Sequence, residues 1–405
     1  MFKLAPFATL QVANLFSGAG SAIALLAIPW VIVDTTGASS LIAGYFLVSQ
    51  VCLLLLLPVF GPIVDSIDRK TTAILLQSLG LAVQLLAAYA YFVWASYWVL
   101  LVSATTILVL RGLDQVVRQS IAQALVEKAQ HRSANRKIEF VRQGVTFLSG
   151  ILAIPLYHYG GVVLVLVFDA FTFLFAALCL ATLPRASKTT PLAGRTRLQE
   201  LARDTVALMS SRPRAAALLV LSTIPTSSVV AMNVIYPDHF LSFLGSGSEA
   251  YYLHDSVYAA AALAMAVLWT DSRRGVVDLR AGLQLSMIAF LASVVLIATL
   301  PRLEATYVAI AGFAMIAAYV RMSRSTYIMG SFAQEAQGRA NATVEFAATF
   351  VSICLTASLG YLSAFLQVQY LWFVFLVVGA AGTLVLAAMP AARRDADLPA
   401  EETRP

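Results

Sequence analysis

The chain predicts an all-α integral membrane protein of twelve transmembrane helices, arranged as two pseudo-symmetric six-helix bundles. Hydrophobic residues are 60% of its 405 residues and charged residues only 12%, whereas soluble domains hold roughly 45–50% apolar residues. Mean hydropathy is +0.82, and apolar stretches recur at the length of a spanning helix, about 20 residues. The same polar residues also return 206 positions apart: Asp65 with Asp271, Arg118 with Arg324, Asn135 with Asn341, and Glu139-Phe140 with Glu345-Phe346. With so few charges, an ungapped register of acid, base and amide across half the chain marks a duplication. In a membrane protein that plan implies a carrier that rocks one half against the other.

The spans of the first half fall near 6–33, 40–64, 71–94, 97–119, 138–158 and 160–183. Those of the second fall near 214–237, 250–270, 280–300, 304–325, 342–366 and 368–390. The period-two alternation of a membrane barrel is absent, so the spans are helices. The first stretch outruns the roughly 7–15 apolar residues of a signal core and is expected to stay as a helix. The predicted organisation is a bundle over 1–184, a basic cytoplasmic linker over 185–213, a second bundle over 214–390 and a cytoplasmic tail over 391–405. Thr189-Thr190-Pro191 breaks the linker, and Thr196 to Ser210 reads either as an amphipathic helix on the membrane surface or as a plain tether.

Twelve spans put both termini and the loops after spans 2, 4, 6, 8 and 10 on one side. That side carries Arg69, Lys70, Lys128, Arg132, Lys188, Arg195, Arg273, Arg274 and Arg393 among others, while the opposite loops hold Arg302 alone. Positive residues resist translocation, so the rich side is cytoplasmic. The net charge of +6 is then topological and gives no reason to invoke nucleic acid. Cys52, Cys179 and Cys354 are widely separated inside spans and read as packing residues. The sequence holds no metal-ligand cluster, no cofactor motif and no phosphate-binding loop. It also lacks a metalloprotease or serine-nucleophile motif, which disfavours a polytopic membrane enzyme, the alternative from another class.

Gly61-Pro-Ile-Val-Asp65-Ser-Ile-Asp-Arg69-Lys70 resembles the loop signature joining helices 2 and 3 in the major facilitator superfamily, through Gly61, Asp65, Arg69 and Lys70. Ser66 and Asp68 depart from the usual basic residue and glycine. Ile28-Pro29-Trp30, Thr35-Thr36-Gly37 and the stretch from Val126 to Asn135 are most similar to the branch of macrolide-efflux and siderophore-export proteins. The resemblance implies a monomeric secondary transporter in a bacterial cytoplasmic (inner) membrane, exporting a drug-like or siderophore-like small molecule in exchange for protons. Uptake of a small organic solute is the alternative within the superfamily. That branch often carries an acid in the middle of helix 1, where this chain has Ser21, and its Gly-Pro pair in helix 5 is missing from Gly144-Val-Thr-Phe-Leu-Ser-Gly150.

Asp65 ends span 2, Arg118 ends span 4 and Glu139 begins span 5, so the arginine is expected between two carboxylates as a cytoplasmic latch worth about 1–3 kcal/mol in total. Asp271, Arg324 and Glu345 form the matching set, with Arg69 able to cross between halves. Deeper in span 4, Arg111, Asp114 and Arg118 share one face at three-, four- and seven-residue spacing. Arg111 lies two turns, about 10 Å, inside the helix end and must meet an acid or water there. The pair Arg111/Asp114 reads either as part of the substrate pathway or as a static extension of the latch. Arg321 has Gln115 at its matched position and suits a substrate contact. Asp255, at the outer start of span 8, reads equally as a proton acceptor or an interfacial cap. Asp169, inside span 6, reads as a hydrogen-bonded structural acid. Small polar residues including Asn14, Ser17 and Ser21 in span 1, and Thr226, Ser227 and Asn233 in span 7, are expected to line a cavity, with Pro225 as a kink.

Overall fold

The structure, a computed structural model, describes residues 6–66, 68–125, 131–184, 210–268, 279–332 and 334–389. Among these residues all regular structure is helical. The first four helices are α1 Pro6–Thr36, α2 Ser39–Ser66, α3 Arg69–Trp94 and α4 Tyr97–Leu125. His131–Ala181 follows one helical path broken at Gly161, whose φ of 57° and ψ of −158° lie in a region reserved for glycine. The break gives α5 (131–160) and α6 (162–181). The second half begins with α7 Pro213–Leu221, α8 Thr223–Met232, α9 Tyr236–Asp238 and a π-helical turn at His239–Phe243. It continues as α10 Ser248–Leu268, α11 Leu279–Thr299, α12 Leu303–Ser331, α13 Gln334–Leu362 and α14 Val368–Ala388.

Among the described residues ten helices are long and apolar enough to cross a membrane, one of them the 45-residue path Lys137–Ala181 that Gly161 divides. With that division and the 21-residue α10, the twelve spans expected from the sequence are present. The repeat is also structural, since α4 (97–125) and α12 (303–331) are offset by 206 at both ends. Exposed Leu86, Tyr89, Phe92 and Trp94 on α3 are the lipid-facing surface such a protein needs.

One expectation moves by a turn. The kink placed at Pro225 appears at Ser222, where α7 gives way to α8. Proline has no N–H for the carbonyl of Leu221 and its ring crowds that carbonyl, so the break falls on the preceding turn. Asn233 lies beyond the end of α8, in the turn before α9.

The loop residues of the first half have local duties. Asp68 caps α3, accepting from the Thr71 backbone N–H at 3.3 Å and its hydroxyl at 2.8 Å. Lys70 donates to the carbonyls of Ala181 and Leu183, at 2.6 and 2.5 Å, and so closes the C-terminal end of α6. Arg280, at the start of α11, does the same for the end of α14 by donating to the Leu386 carbonyl at 3.2 Å.

The chain forms two compact units. One comprises Met1–Arg195, Asn233–Leu263 and Thr356–Val368; the other comprises Thr196–Met232, Ala264–Leu355 and Gln369–Pro405. The first unit therefore includes α9, most of α10 and the end of α13. Trp30 of α1 stacks on Tyr251 of α10 at 5.5 Å, and Tyr157 of α5 meets Tyr252 edge-on at 5.5 Å. Ser256 of α10 donates to the Phe147 carbonyl of α5 at 2.7 Å. A Cβ on Gly150 would stand 2.6 Å from the Tyr252 carbonyl oxygen, so only glycine lets these two helices approach so closely. The linker stretch from Thr196 to Met209, Asp271 and the tail from 391 onward lie outside the described residues, as do the side chains of Gly61 and Asp65 on α2.

Candidate functional site

The polar centre of the first unit is built on α1, the most enclosed span, 78% buried. Its small residues Asn14, Ser17, Gly20 and Ser21 face α4 and α6, which supply the charges. Arg118 Nε meets Asp114 Oδ2 at 2.5 Å, one turn earlier on α4. The same guanidinium donates to Asn14 Oδ1 at 2.6 Å and to Ser17 Oγ at 3.1 Å, tying α4 to α1. Arg118 and Asp114 are both only 8% exposed, so each depends on the other for its charge to be tolerated. Gln77 of α3 lies beside Asp114.

A second carboxylate sits deeper. Asp169 of α6 has no exposed surface, yet both its oxygens are served. Ser21 of α1 donates to Oδ1 at 3.1 Å and Gln84 of α3 to Oδ2 at 2.5 Å, while the Thr172 hydroxyl is shared between the Asp169 main-chain carbonyl at 2.7 Å and Oδ1 at 3.3 Å. Ser103 of α4 then donates to Gln84 Oε1 at 3.5 Å. Gly20 makes room for this group, because a Cβ there would stand 2.6 Å from Asp169 Oδ1. Arg111 lies within electrostatic reach of both Asp169 and Asp114. Its guanidinium makes no hydrogen bond among the described residues, whereas that of Arg118 is held by Asp114, Asn14 and Ser17.

The latch expected in this half is partnered differently. Glu139 is held within its own helix by Arg142, at 2.9 and 2.7 Å, and by Gln143 at 2.9 Å. Arg118 turns instead to Asp114 and α1. The physical reason is proximity: Asp114 is one helical turn away and already buried, while the Glu139–Arg142 pair is about half exposed, at 47% and 57%. Asp169, read from the sequence as a hydrogen-bonded structural acid, is indeed hydrogen-bonded, and it brings a carboxylate beside Ser21, the position in α1 where an acid was sought.

In the second unit, Arg324 lies within electrostatic reach of Glu345, and its Nη1 is buried without a hydrogen-bond partner. Arg321 shares its surroundings and is half-buried. In the first unit, Asp255 of α10 lies 3.4 Å from His254 Nε2, whose ring also contacts the Tyr251 carbonyl through Nδ1. Asp255 thus belongs to the buried aromatic cluster of Trp30, Tyr236, Phe240 and Tyr251 rather than to the network around Arg118. Gln77, Gln84 and Ser103 went unnoticed in the sequence. The readable signal was the pair of amides seven residues apart in the apolar α3, which places both on one helical face.

No family model and no curated protein matches the chain. Solved structures do resemble it. A variant of the nucleoside transporter NupG aligns with a TM-score of 0.78 at 13% identity, over 95% of this chain and 100% of its own. A bacterial homologue of the iron transporter ferroportin, in an inward-facing state, aligns at 0.70 and 17% identity, over 96% of this chain and 99% of its own. A D-xylose–proton symporter aligns at 0.70 and 13% identity, over 94% and 95%. At these identities the likeness establishes the fold. The chain is a multi-pass membrane protein with the major facilitator fold.

Proposed function

We propose that the protein is a secondary active transporter that moves an amphipathic small molecule by alternating access, in the direction of export and in exchange for protons. The observation that carries this reading is the buried network of two arginines and two aspartates across α1, α3, α4 and α6. Ionisable groups inside membrane helices are costly, and where they persist they serve a pathway or a switch. Resemblance to a nucleoside transporter, a ferroportin homologue and a xylose–proton symporter supports the reading at the level of fold.

In this reading Arg111 and Arg321 contact polar groups of the substrate. Asn14, Ser21 and Asn233 line its path. Asp114, Asp255 and Asp169 are the carboxylates available for proton exchange. Gly61, Asp65, Arg69, Arg118, Asp271, Arg324 and Glu345 form the cytoplasmic gate, with Arg118 acting through its grip on α1, and Glu139 supporting the start of α5. The branch suggested by the sequence points to macrolides or siderophores as substrates. A symporter among the neighbours favours one second reading, uptake of a small solute together with protons.

The test is flux in proteoliposomes under an imposed pH gradient, with macrolides, a catecholate siderophore, nucleosides and xylose as probes. Export predicts that protons entering on one face drive a macrolide or siderophore out through the other. Flux of substrate and protons in the same direction would replace export by uptake, and no gradient-dependent flux of any probe would remove the reading.

A further inference from the structure

We infer that Asp169 is a proton-binding carboxylate, and that Gln84 and Ser103 are positioning residues that let it exist in both charge states by reversing one side-chain amide. The inference rests on the transport reading only for the use made of the proton.

Every side-chain partner of the Asp169 carboxyl donates to it: Ser21 to Oδ1 and Gln84 to Oδ2, with Thr172 a secondary donor to Oδ1 whose hydroxyl lies nearer the Asp169 main-chain carbonyl. That arrangement solvates a carboxylate anion. A half-turn of the Gln84 amide exchanges its oxygen and nitrogen. The Gln84 oxygen then accepts from a protonated Asp169, and its nitrogen donates to Ser103 Oγ, where Ser103 now donates to Gln84 Oε1 at 3.5 Å. The Ser21 hydroxyl keeps donating to Oδ1, the carbonyl oxygen of the neutral acid. Both states hold the same number of hydrogen bonds among Ser21, Asp169, Gln84 and Ser103, with the Ser103 hydroxyl changing from donor to acceptor, so the change of charge costs none within the set. A static acid would need only the first arrangement.

The charged group acting on Asp169 is Arg111 of α4, which also feels Asp114; α1 and α3 contribute only Ser21 and Gln84. Arg111 stays poised because it makes no hydrogen bond to either acid, whereas Arg118 is committed to Asp114. Packing does not demand the set. At the positions 206 residues on, Asp169, Gln84 and Ser103 are matched by the buried apolar residues Phe375, Phe290 and Ala309.

The experiment is an acid-minus-alkaline infrared difference spectrum of the purified protein in lipid nanodiscs, with and without carbon-13 labelling of aspartate. The expected result is an isotope-sensitive carboxylic-acid C=O band that is lost in Asp169→Asn and kept in Asp114→Asn and Asp255→Asn. Gln84→Leu keeps the band, shifts its frequency and moves its midpoint to higher pH, because the anion has lost a donor. This variant decides the matter if Asp169→Asn fails to fold. A band that survives Asp169→Asn, vanishes in either of the other two aspartate variants, is unmoved by Gln84→Leu, or is missing from the wild type overturns the inference. Proton-driven flux without an Asp169 band removes this inference alone. The band without such flux removes proton coupling and leaves the site.

Discussion

The two halves of the chain repeat at a spacing of 206 residues but fill the matched positions with opposite chemistry. In the first, the centre is Gln77, Gln84, Arg111, Asp114 and Asp169. In the second, the matched positions are Leu283, Phe290, Ala317, Val320 and Phe375, all buried. Phe290 meets Phe313 at 5.5 Å, Phe313 stacks on Trp372 at 6.5 Å, and Trp372 meets Phe375 at 5.8 Å. The bundle evidently needs neither core for its architecture. What the repeat preserves are Arg118 and Arg324 near the helix ends, together with the basic residues that close α6 and α14. Duplication copied a scaffold with its end fittings, and at these five matched positions only the first copy carries charge. An asymmetry of that kind points to chemistry in the first half and to a packed support in the second.

Exchanging the two chemistries is the harshest way to break the comparison. Phe375→Asp would put a carboxylate among Phe290, Phe313 and Trp372, three aromatic side chains that bring no cation and no donor besides the Trp372 indole N–H. The expected loss is more than about 5 kcal/mol, comparable with the whole stability of many domains. Purified yield and thermal unfolding in detergent would show it, and a stable Phe375→Asp protein would mean that the second core is as permissive as the first.

Next in size is Arg118. Arg118→Met leaves Asp114 buried without its counter-charge, for an expected loss of about 3–5 kcal/mol. Replacing both partners, Arg118→Met with Asp114→Val, imports the residue found at Val320 and should recover most of that loss, since an apolar pair of similar volume is often neutral. Arg324→Met, where one nitrogen already lacks a partner, should stay within about 1 kcal/mol of wild type for the same reason. Equal losses at Arg118 and Arg324 would mean that the two arginines do the same work after all.

Much of this was legible in the sequence, and the reasons are specific. Span number followed from length and apolarity, and the repeat followed from a few charges whose rarity made coincidence improbable. The face shared by Arg111, Asp114 and Arg118 also followed from helical spacing. What could not be read was which side chain each charge would choose. Arg118 had carboxylates at positions 65, 114 and 139 within plausible reach, and a one-turn neighbour on its own helix won. Asp169 was undervalued because its partners Ser21, Gln84 and Thr172 are neutral and come from three different spans or turns. Neutral donors leave no charge pattern to follow.

Gly150 sharpens the comparison at a different level, the contact between α5 and α10 within the first unit. Gly150→Val must push aside the Tyr252 carbonyl, at an expected cost of about 1–3 kcal/mol from overpacking. Cysteine cross-linking across α5 and α10 should fall with it. Gly144 has open space around its Cβ position, so Gly144→Ala is the control, expected to leave cross-linking intact.

The smallest expected effect tests the revised latch. Glu139 and Arg142 are an i, i+3 pair about half open to solvent, and such pairs contribute about 0.2–0.5 kcal/mol on a helix surface, less in high salt. Glu139→Ala should therefore barely move the unfolding transition, while Arg118→Met moves it strongly. A double-mutant cycle between the two should give a coupling near zero, because the arginine is held by Asp114, Asn14 and Ser17 rather than by this carboxylate. Should the cycle return a coupling as large as the Arg118–Asp114 term, Glu139 would be restored as a direct partner of Arg118. The two halves would then share a working latch as well as a scaffold.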